Sequence, residues 1–401
     1  MTKRDADMKQ GNGVLVAGVA AVAVLAVVAG GALAARQRPA DGEAVAAPLP
    51  APTPTPTSTP RPKPKPSSTP SVYSGPTSPA TAGVKLTLSK LPTGRAPQLP
   101  YITGRVVRGG IGGDVTIPGK DNIVRGTRIN SDALVVLEAE SGRTELVRVD
   151  SNGVQPDKIP DVASLVTSMN EDAVAFATAP SNPDNTRAKG STVYWQGTSQ
   201  TSGRRTLKRP NDWGSTALAV VGDTVYFKAD TDQNGTTSTL NAWDSGTDKV
   251  TRIKSVRSPE GVDNRGTVAV DFVSGAAQTF CSTVTELDSG KQRWKTCEYA
   301  INGFTPDGEL ALGTPDFRNG GGDPLVAALD SNEGTVRREW TGARFREVVA
   351  EDDDHLLMVA DTGERTPGAI IRCSVGTGLC ELATPLAKTA GTDLHLLGAW
   401  A

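Results

Sequence analysis

Histidine is nearly absent from this 401-residue chain, with His355 and His395 the two present. A histidine-built zinc site or a Ser-His-Asp relay needs convergent partners, so packing at the start of an apolar strand is the expected role of both. The chain also lacks G-x-S-x-G and H-E-x-x-H, and Gly320, Gly321 and Gly322 are not followed by the Lys and Ser/Thr of a phosphate loop. No catalytic or cofactor-binding residue is therefore assigned from sequence. Aromatics make up only 4% of the residues and net charge is −2, with no Lys/Arg run interleaved with aromatics. That balance excludes a groove that tracks nucleic-acid phosphates. Cysteine is scarce too: the first of four is Cys281, so no thiol lies near the N-terminus to carry a lipid.

Long apolar runs are limited to one. Residues 13–35 form an uncharged stretch of 23 residues, long enough to span a bilayer as a helix. Lys3, Arg4 and Lys9 precede it while Arg36 and Arg38 follow, a slight lean towards a cytoplasmic tail at 1–12. Ala32, Leu33 and Ala34 also form an A-x-A site, and cleavage after Ala34 would release the chain instead. The apolar run exceeds the 7 to 15 residues of a usual signal-peptide core, which favours an uncut anchor. Beyond it, 12 prolines fall within 48–79, mixed with Thr, Ser, Lys and Arg. Such a segment forms no core and prefers polyproline II, reaching roughly 100 Å at about 3.1 Å per residue. Residues 36–90 are thus expected to be a disordered linker or stalk, with a folded ectodomain over 91–401.

Within that ectodomain one pattern recurs seven times: an Asp or Gly at a tight turn, then a short apolar strand. The anchors are Asp132, Asp172, Asp223, Gly266, Gly308, Asp354 and Asp393, spaced 39 to 51 residues apart. That is the period of a four-stranded blade, not of a helical repeat. Each anchor is expected to open the second strand of a blade. Third strands are expected at 191–196, 240–244, 282–288 and 324–330, and outer strands at 204–209 and 336–340. After Asp393 too little chain remains for a whole blade, so 101–108 and 115–118 are expected to complete it and remove exposed edges.

The cysteines fit the same scheme. A hairpin turn at Asp288, Ser289 and Gly290 sets Leu287 opposite Lys291, and that register sets Cys281 opposite Cys297. A two-residue turn at Gly376 and Thr377, with Gly first, pairs Val375 with Gly378 and Cys373 with Cys380. Of three possible connectivities only this one places both pairs directly opposite within their own hairpins. The alternatives are four buried thiols, or one metal site that would need close C-x-x-C pairs. Disulfides imply an oxidising, extracytoplasmic compartment.

Ala242, Trp243 and Asp244 with Ser245 and Gly246 resemble the W-D turn of WD40 repeats. Leu287, Asp288, Ser289, Gly290, Lys291 and Trp294 resemble the repeat of quinoprotein-type propellers. Over about 101–400 the chain resembles the extracytoplasmic TolB-like or WD40-like β-propellers of high-GC Gram-positive bacteria. The fold expected is all-β: a seven-bladed β-propeller closed by N-terminal strands, preceded by one transmembrane helix and a Pro-rich stalk.

The loops from second to third strands, at 180–190, 230–238, 314–323 and 361–368, are long and polar and should emerge on one face. Rigid scaffolds present recognition through such loops, although loops also simply tolerate insertion. Asp230, Asp232 and Asn234, followed by Gly235, begin like a calcium loop, but the twelfth position is Asn241 rather than a bidentate Glu. An Asx-rich turn is the preferred reading, so no metal or other cofactor is expected. Glu351, Asp352, Asp353 and Asp354 read as a solvated charge cluster. Trp195, Trp243, Trp294 and Trp340 read as sheet packing rather than a sugar-stacking platform. The function expected is a single-pass membrane-anchored binding or scaffold module for a protein or cell-envelope polymer. The alternative is an enzyme on the loop-rich face, a hydrolase, lyase or quinoprotein-like oxidase.

Overall fold

A computed structural model of the chain describes residues 82–150, 153–154, 158–198, 203–274, 280–315, 322–363, 365–387 and 394–398. The apolar run at 13–35 and the proline-rich run at 48–79 lie outside them. Among the described residues no helix is long and apolar enough to cross a membrane. Among these residues the one helical element is a single 3-10 turn at Leu88–Lys90, and every other regular element is a strand.

In chain order the strands are β1 (Ala82–Lys85), β2 (Tyr101–Thr103), β3 (Val106–Arg108) and β4 (Val115–Thr116). Then come β5 (Asn122–Ile129), β6 (Asp132–Glu138), β7 (Thr144–Asp150), β8 (Gly153–Val154) and β9 (Ile159–Pro160). The next run is β10 (Val162–Thr167), β11 (Ala173–Thr178), β12 (Ser191–Gly197) and β13 (Arg205–Arg209). It is followed by β14 (Gly214–Val221), β15 (Thr224–Asp230), β16 (Ser238–Asp244) and β17 (Lys249–Ile253). Next are β18 (Pro259–Val262), β19 (Val268–Ser274), β20 (Phe280–Glu286) and β21 (Gln292–Thr296). The last are β22 (Tyr299–Phe304), β23 (Leu310–Pro315), β24 (Asp323–Asp330), β25 (Val336–Ala350), β26 (His355–Asp361), β27 (Ala369–Ser374), β28 (Cys380–Leu382) and β29 (Leu394–Leu396).

Pairing divides them into antiparallel meanders in the manner of propeller blades. The orders are β5-β6-β7-β8, β10-β11-β12-β13, β14-β15-β16-β17 and β18-β19-β20-β21, while β22 to β28 form one continuous sheet. The long β25 serves two units there: Val336 to Thr341 pair with β24, and Arg344 to Ala350 pair with β26. The remaining sheet runs β29-β2-β3-β4, joining a strand near the C-terminus to three from the N-terminal side. Side-chain chemistry explains the layering. Second strands such as AVAFAT in β11 are buried on both faces, whereas third strands such as β12 alternate buried and half-buried residues.

Each unit packs its face on the next. Ile102 and Val107 share a buried cluster with Val135 and Val147, Val136 with Phe176, and Trp195 with Phe227. Leu240 clusters with Ala269, Val284 with Ile301, and Val326 with Met358. Finally, Leu357 and Ile370 cluster with Leu394, Leu396 and Tyr101. Between units a polar latch also recurs. Trp294 Nε1 donates to Ser331 O at 2.8 Å and Arg338 Nε to Val375 O at 3.0 Å, with Arg205 Nη1 donating likewise to Ser245 O. These three carbonyls occupy the same position in the third-to-fourth-strand turns of three units, an equivalence that residue types alone do not display.

Both disulfides form as expected, Cys281 with Cys297 and Cys373 with Cys380. The turns differ in detail from expectation. Lys291 O accepts from Glu286 N at 2.9 Å, and a bulge between Val284 and Thr285 then restores the register that sets Ser282 opposite Thr296. In the other hairpin Gly378, not Gly376, takes the left-handed backbone (φ 77°), closing a four-residue turn from Ser374 to Leu379. Gly290 and Gly334 do the same at φ 69° and 72°, so one turn type repeats across three units. On the chain-entropy estimate, removing the 16-residue Cys281–Cys297 closure should cost about 3 kcal/mol and the 7-residue Cys373–Cys380 closure about 2 kcal/mol. Denaturant midpoints of the two double-alanine variants, compared with the parent, check that order.

Three further differences concern boundaries. The stretch at 101–108 is a hairpin rather than one strand, because Gly104 turns it at φ 62°. The strand after Asp393 is the innermost of its unit rather than the second, since among the described residues β29 pairs with β2 on one side and with no other strand. A turn residue followed by an apolar run looks alike at either position, and only the pairing partner distinguishes them. The linker expected over 36–90 ends earlier: β1 pairs in parallel with β25, and Leu86 and Leu88 are buried in the cluster around Trp340.

Candidate functional site

Six first strands carry a register shift, at Ile123/Arg125, Val162/Ser164, Ala217/Ala219, Pro259/Gly261, Ile301/Gly303 and Phe345/Glu347. A bulge leaves one residue unpaired and re-aims its neighbours. Three cavities lie along these strands and β29. At the end where second strands lead into third strands, an open cavity of about 810 Å³ is lined by Arg125, Glu138, Arg143, Asn185, Glu347 and His395. Adjoining it, an inner cavity of about 20 Å³ shares Arg125, Glu347 and His395 as its charged or titratable lining, among apolar residues such as Ile102, Leu165 and Leu397. The opposite end holds a separate cavity of about 150 Å³ lined by Met169, Glu171, Phe304, Val348 and Glu351.

The polar groups of the first end are mostly committed. Glu347 Oε1 lies 2.6 Å from His395 Nδ1, and its other oxygen accepts from Leu396 N at 2.5 Å. Arg143 Nη2 donates to both carboxylate oxygens of Asp161, at 3.0 and 3.1 Å. Arg125 stands apart: among the described residues no hydrogen bond or ion pair reaches its guanidinium, and burial pulls its pKa below the usual arginine value. At the other end burial pushes the Glu171 carboxyl up, partly offset by Arg128, and Glu171 adopts a left-handed backbone at φ 54°.

The structure separates the residues of the calcium-like loop. Asp230 pairs with Arg187 Nη1 at 2.6 Å. Asp232 accepts from the Thr237 hydroxyl and amide, from Asn234 N at 2.9 Å and from Thr236 N at 3.2 Å. Those hydrogen bonds, from Thr237 first, hold its carboxyl well below the usual range. The run is an Asx-rich turn, and among the described residues no three His, Cys, Asp or Glu side chains group as a metal site.

In the acidic run at 351–354, Asp352, Asp353 and Asp354 are solvated as expected, while Glu351 is instead buried in a structural node. The Glu351 side chain is 0% exposed against Arg372, Asp353 accepts from Asp307 N at 2.9 Å, and Asp354 accepts from Gly376 N at 2.7 Å. Asp352 accepts from His355 N at 2.7 Å and lies 2.9 Å from its Nδ1, so that histidine does sit at a strand start. Trp195, Trp243, Trp294 and Trp340 are all buried in the sheet clusters. Of the polar loops, 180–190 and 230–238 are described, while 316–321 and 364 of the other two lie outside the described residues. Sequence reasoning missed Arg125 and the Glu347–His395 pair, which are 222 and 270 residues apart in the chain from Arg125 and meet only through the strand order.

No protein-family model matches the chain, and no curated protein sequence does either. Among solved structures it is similar to the β-propeller domain of the Trilobed protease from Pyrococcus furiosus, at 11% identity and TM-score 0.44, over 66% of this chain and 85% of that one. It is similar to an uncharacterized protein from Listeria monocytogenes at 10% identity and TM-score 0.42, over 77% and 87% of the two chains. It is also similar to TolB from Acinetobacter baumannii at 15% identity and TM-score 0.41, over 66% and 64%. Likeness at these scores carries no argument about function. The all-β, propeller-like architecture rests on the strand order and register described above.

Proposed function

We propose that this chain is a closed seven-bladed β-propeller that stands outside the cytoplasm on a proline-rich stalk, anchored by residues 13–35. On this reading it binds a protein or envelope polymer through the face where second strands lead into third strands. Seven four-stranded units, with the terminal one shared between the two ends of the chain, support the blade count and the closure. Two hairpin disulfides support an oxidising compartment. The observation that carries the binding reading is the cavity of about 810 Å³ opening among those loops, since rigid scaffolds present recognition at such mouths.

The test is crosslinking followed by pull-down from cells, comparing the full chain with one in which 180–190 and 230–238 are shortened to tight turns. Loss of the captured partner from a shortened but cooperatively folding chain is expected. Capture of the same partner at the same yield contradicts the reading. The enzyme alternative draws on one observation, the His395–Glu347 contact of 2.6 Å, a geometry able to orient a general base.

A further inference from the structure

We propose that Arg125 anchors a single anionic group, a carboxylate or a phosphate, which a ligand presents at the mouth of the cavity on the loop-rich face. This rests on the binding reading of that face and names the chemistry it would recognise. Arg125 follows the bulge at Val124 in β5, a feature that re-aims the side chain next to it. It lines both the open mouth and the small cavity adjoining it, so it stands where a group entering from solvent meets the interior. Of the acids that line the mouth, Glu347 already serves His395 at 2.6 Å and Leu396 N at 2.5 Å, and Glu138 stands opposite Asn122 in the β5–β6 pairing with no bond to Arg125 among the described residues. Arg143, the other arginine of the mouth, already serves Asp161 at 3.0 Å. Arg125 alone is left with a full set of donors and no acceptor among the described residues.

The half-buried Arg125 guanidinium, with no protein acceptor among the described residues, offers paired N–H donors to an anion with two acceptor oxygens. The inner cavity, at about 20 Å³, has room for little more than one water, so the anionic group stops at Arg125 in the mouth and the rest of the ligand lies outside.

The experiment titrates the full-length chain in detergent with inorganic phosphate and, separately, with acetate, following bound anion by calorimetry at constant chloride concentration. Saturable binding of one or both is expected, and the probe that binds tells phosphate from carboxylate. Arg125→Met should weaken that binding by about tenfold or more, while leaving the unfolding midpoint in anion-free buffer unchanged or raised. Three results overturn the proposal: no saturable binding of either anion, a lowered midpoint for Arg125→Met in anion-free buffer, or an equal loss of binding in Arg143→Gln. Partner capture that survives Arg125→Met in a parent that binds neither anion sinks this inference alone. Capture indifferent to loop shortening sinks the reading beneath it.

Discussion

Replacing Arg372 with alanine is expected to lower the unfolding free energy by about 3–5 kcal/mol, the usual consequence of leaving a buried charge without its partner. The Arg372 side chain is 3% exposed and that of Glu351 is 0% exposed, and the pair is bidentate, at 2.5 Å from Nε and 2.8 Å from Nη2. The same guanidinium reaches Glu381 at 2.6 Å and donates to the carbonyls of Arg95 and Ala96, each at 2.9 Å. The Glu351 bonds, before the others, raise the Arg372 pKa above the usual value, so the charge is held at every working pH. Alanine would strand Glu351, whose remaining partners are Gln98 N at 2.6 Å and the half-exposed Arg95 at 3.3 Å. It would also free the segment from 95 to 98 that crosses this unit. Lysine is not a substitute, because one ammonium cannot serve two carboxylates and two carbonyls in a fixed fork. Denaturant unfolding of Arg372→Ala beside Arg372→Ala/Glu351→Gln measures this. The double variant should recover part of the loss, and a single-variant cost below about 1 kcal/mol would show the node to be dispensable.

Ending the chain at 393 should be still more damaging. It removes β29, and with it Leu394, Leu396 and Leu397, which are 3–5% exposed. At about 1.5–3 kcal/mol for each fully buried leucine, the loss is about 5 kcal/mol or more, a large part of an ordinary domain's stability. The same cut leaves one edge of β2 without its partner strand and strips the Tyr101–Leu357 cluster of its cover. The truncated chain is expected to lose cooperative unfolding and to run as aggregates on size exclusion. A truncated monomer that melts at the full chain's midpoint would contradict this.

How much of this was legible depended on whether the information was local. Six of seven repeat anchors mark second strands because a turn residue before an apolar run is a local signal, and β6, β11, β15, β19, β23 and β26 follow it. The disulfides were legible because hairpin register is set over a handful of residues, although the bulge beside Val284 shows the turn itself was misplaced. The seventh anchor was misassigned because its strand is defined by pairing with Tyr101 to Thr103, almost 300 residues earlier in the chain. Glu351 read as solvated along with Asp352 to Asp354 because acidic runs usually are, and Arg372, against which it is buried, lies some 20 residues away. Arg125 carried no signal at all. An arginine in a strand looks like any surface cation until the strand's place beside the cavity is known.

Closure of the ring by strands from both ends is the central claim, and a cysteine placed on each side of the seam tests it directly. Thr103 and Leu394 stand directly opposite in the β2–β29 pairing, close enough for a disulfide. Thr103→Cys/Leu394→Cys should oxidise in the folded chain, and peptide mapping should find the two positions joined beside the two native pairs. Thiols at both positions that stay free in mild oxidant, with the native disulfides intact, would show that the terminal strands do not share a sheet.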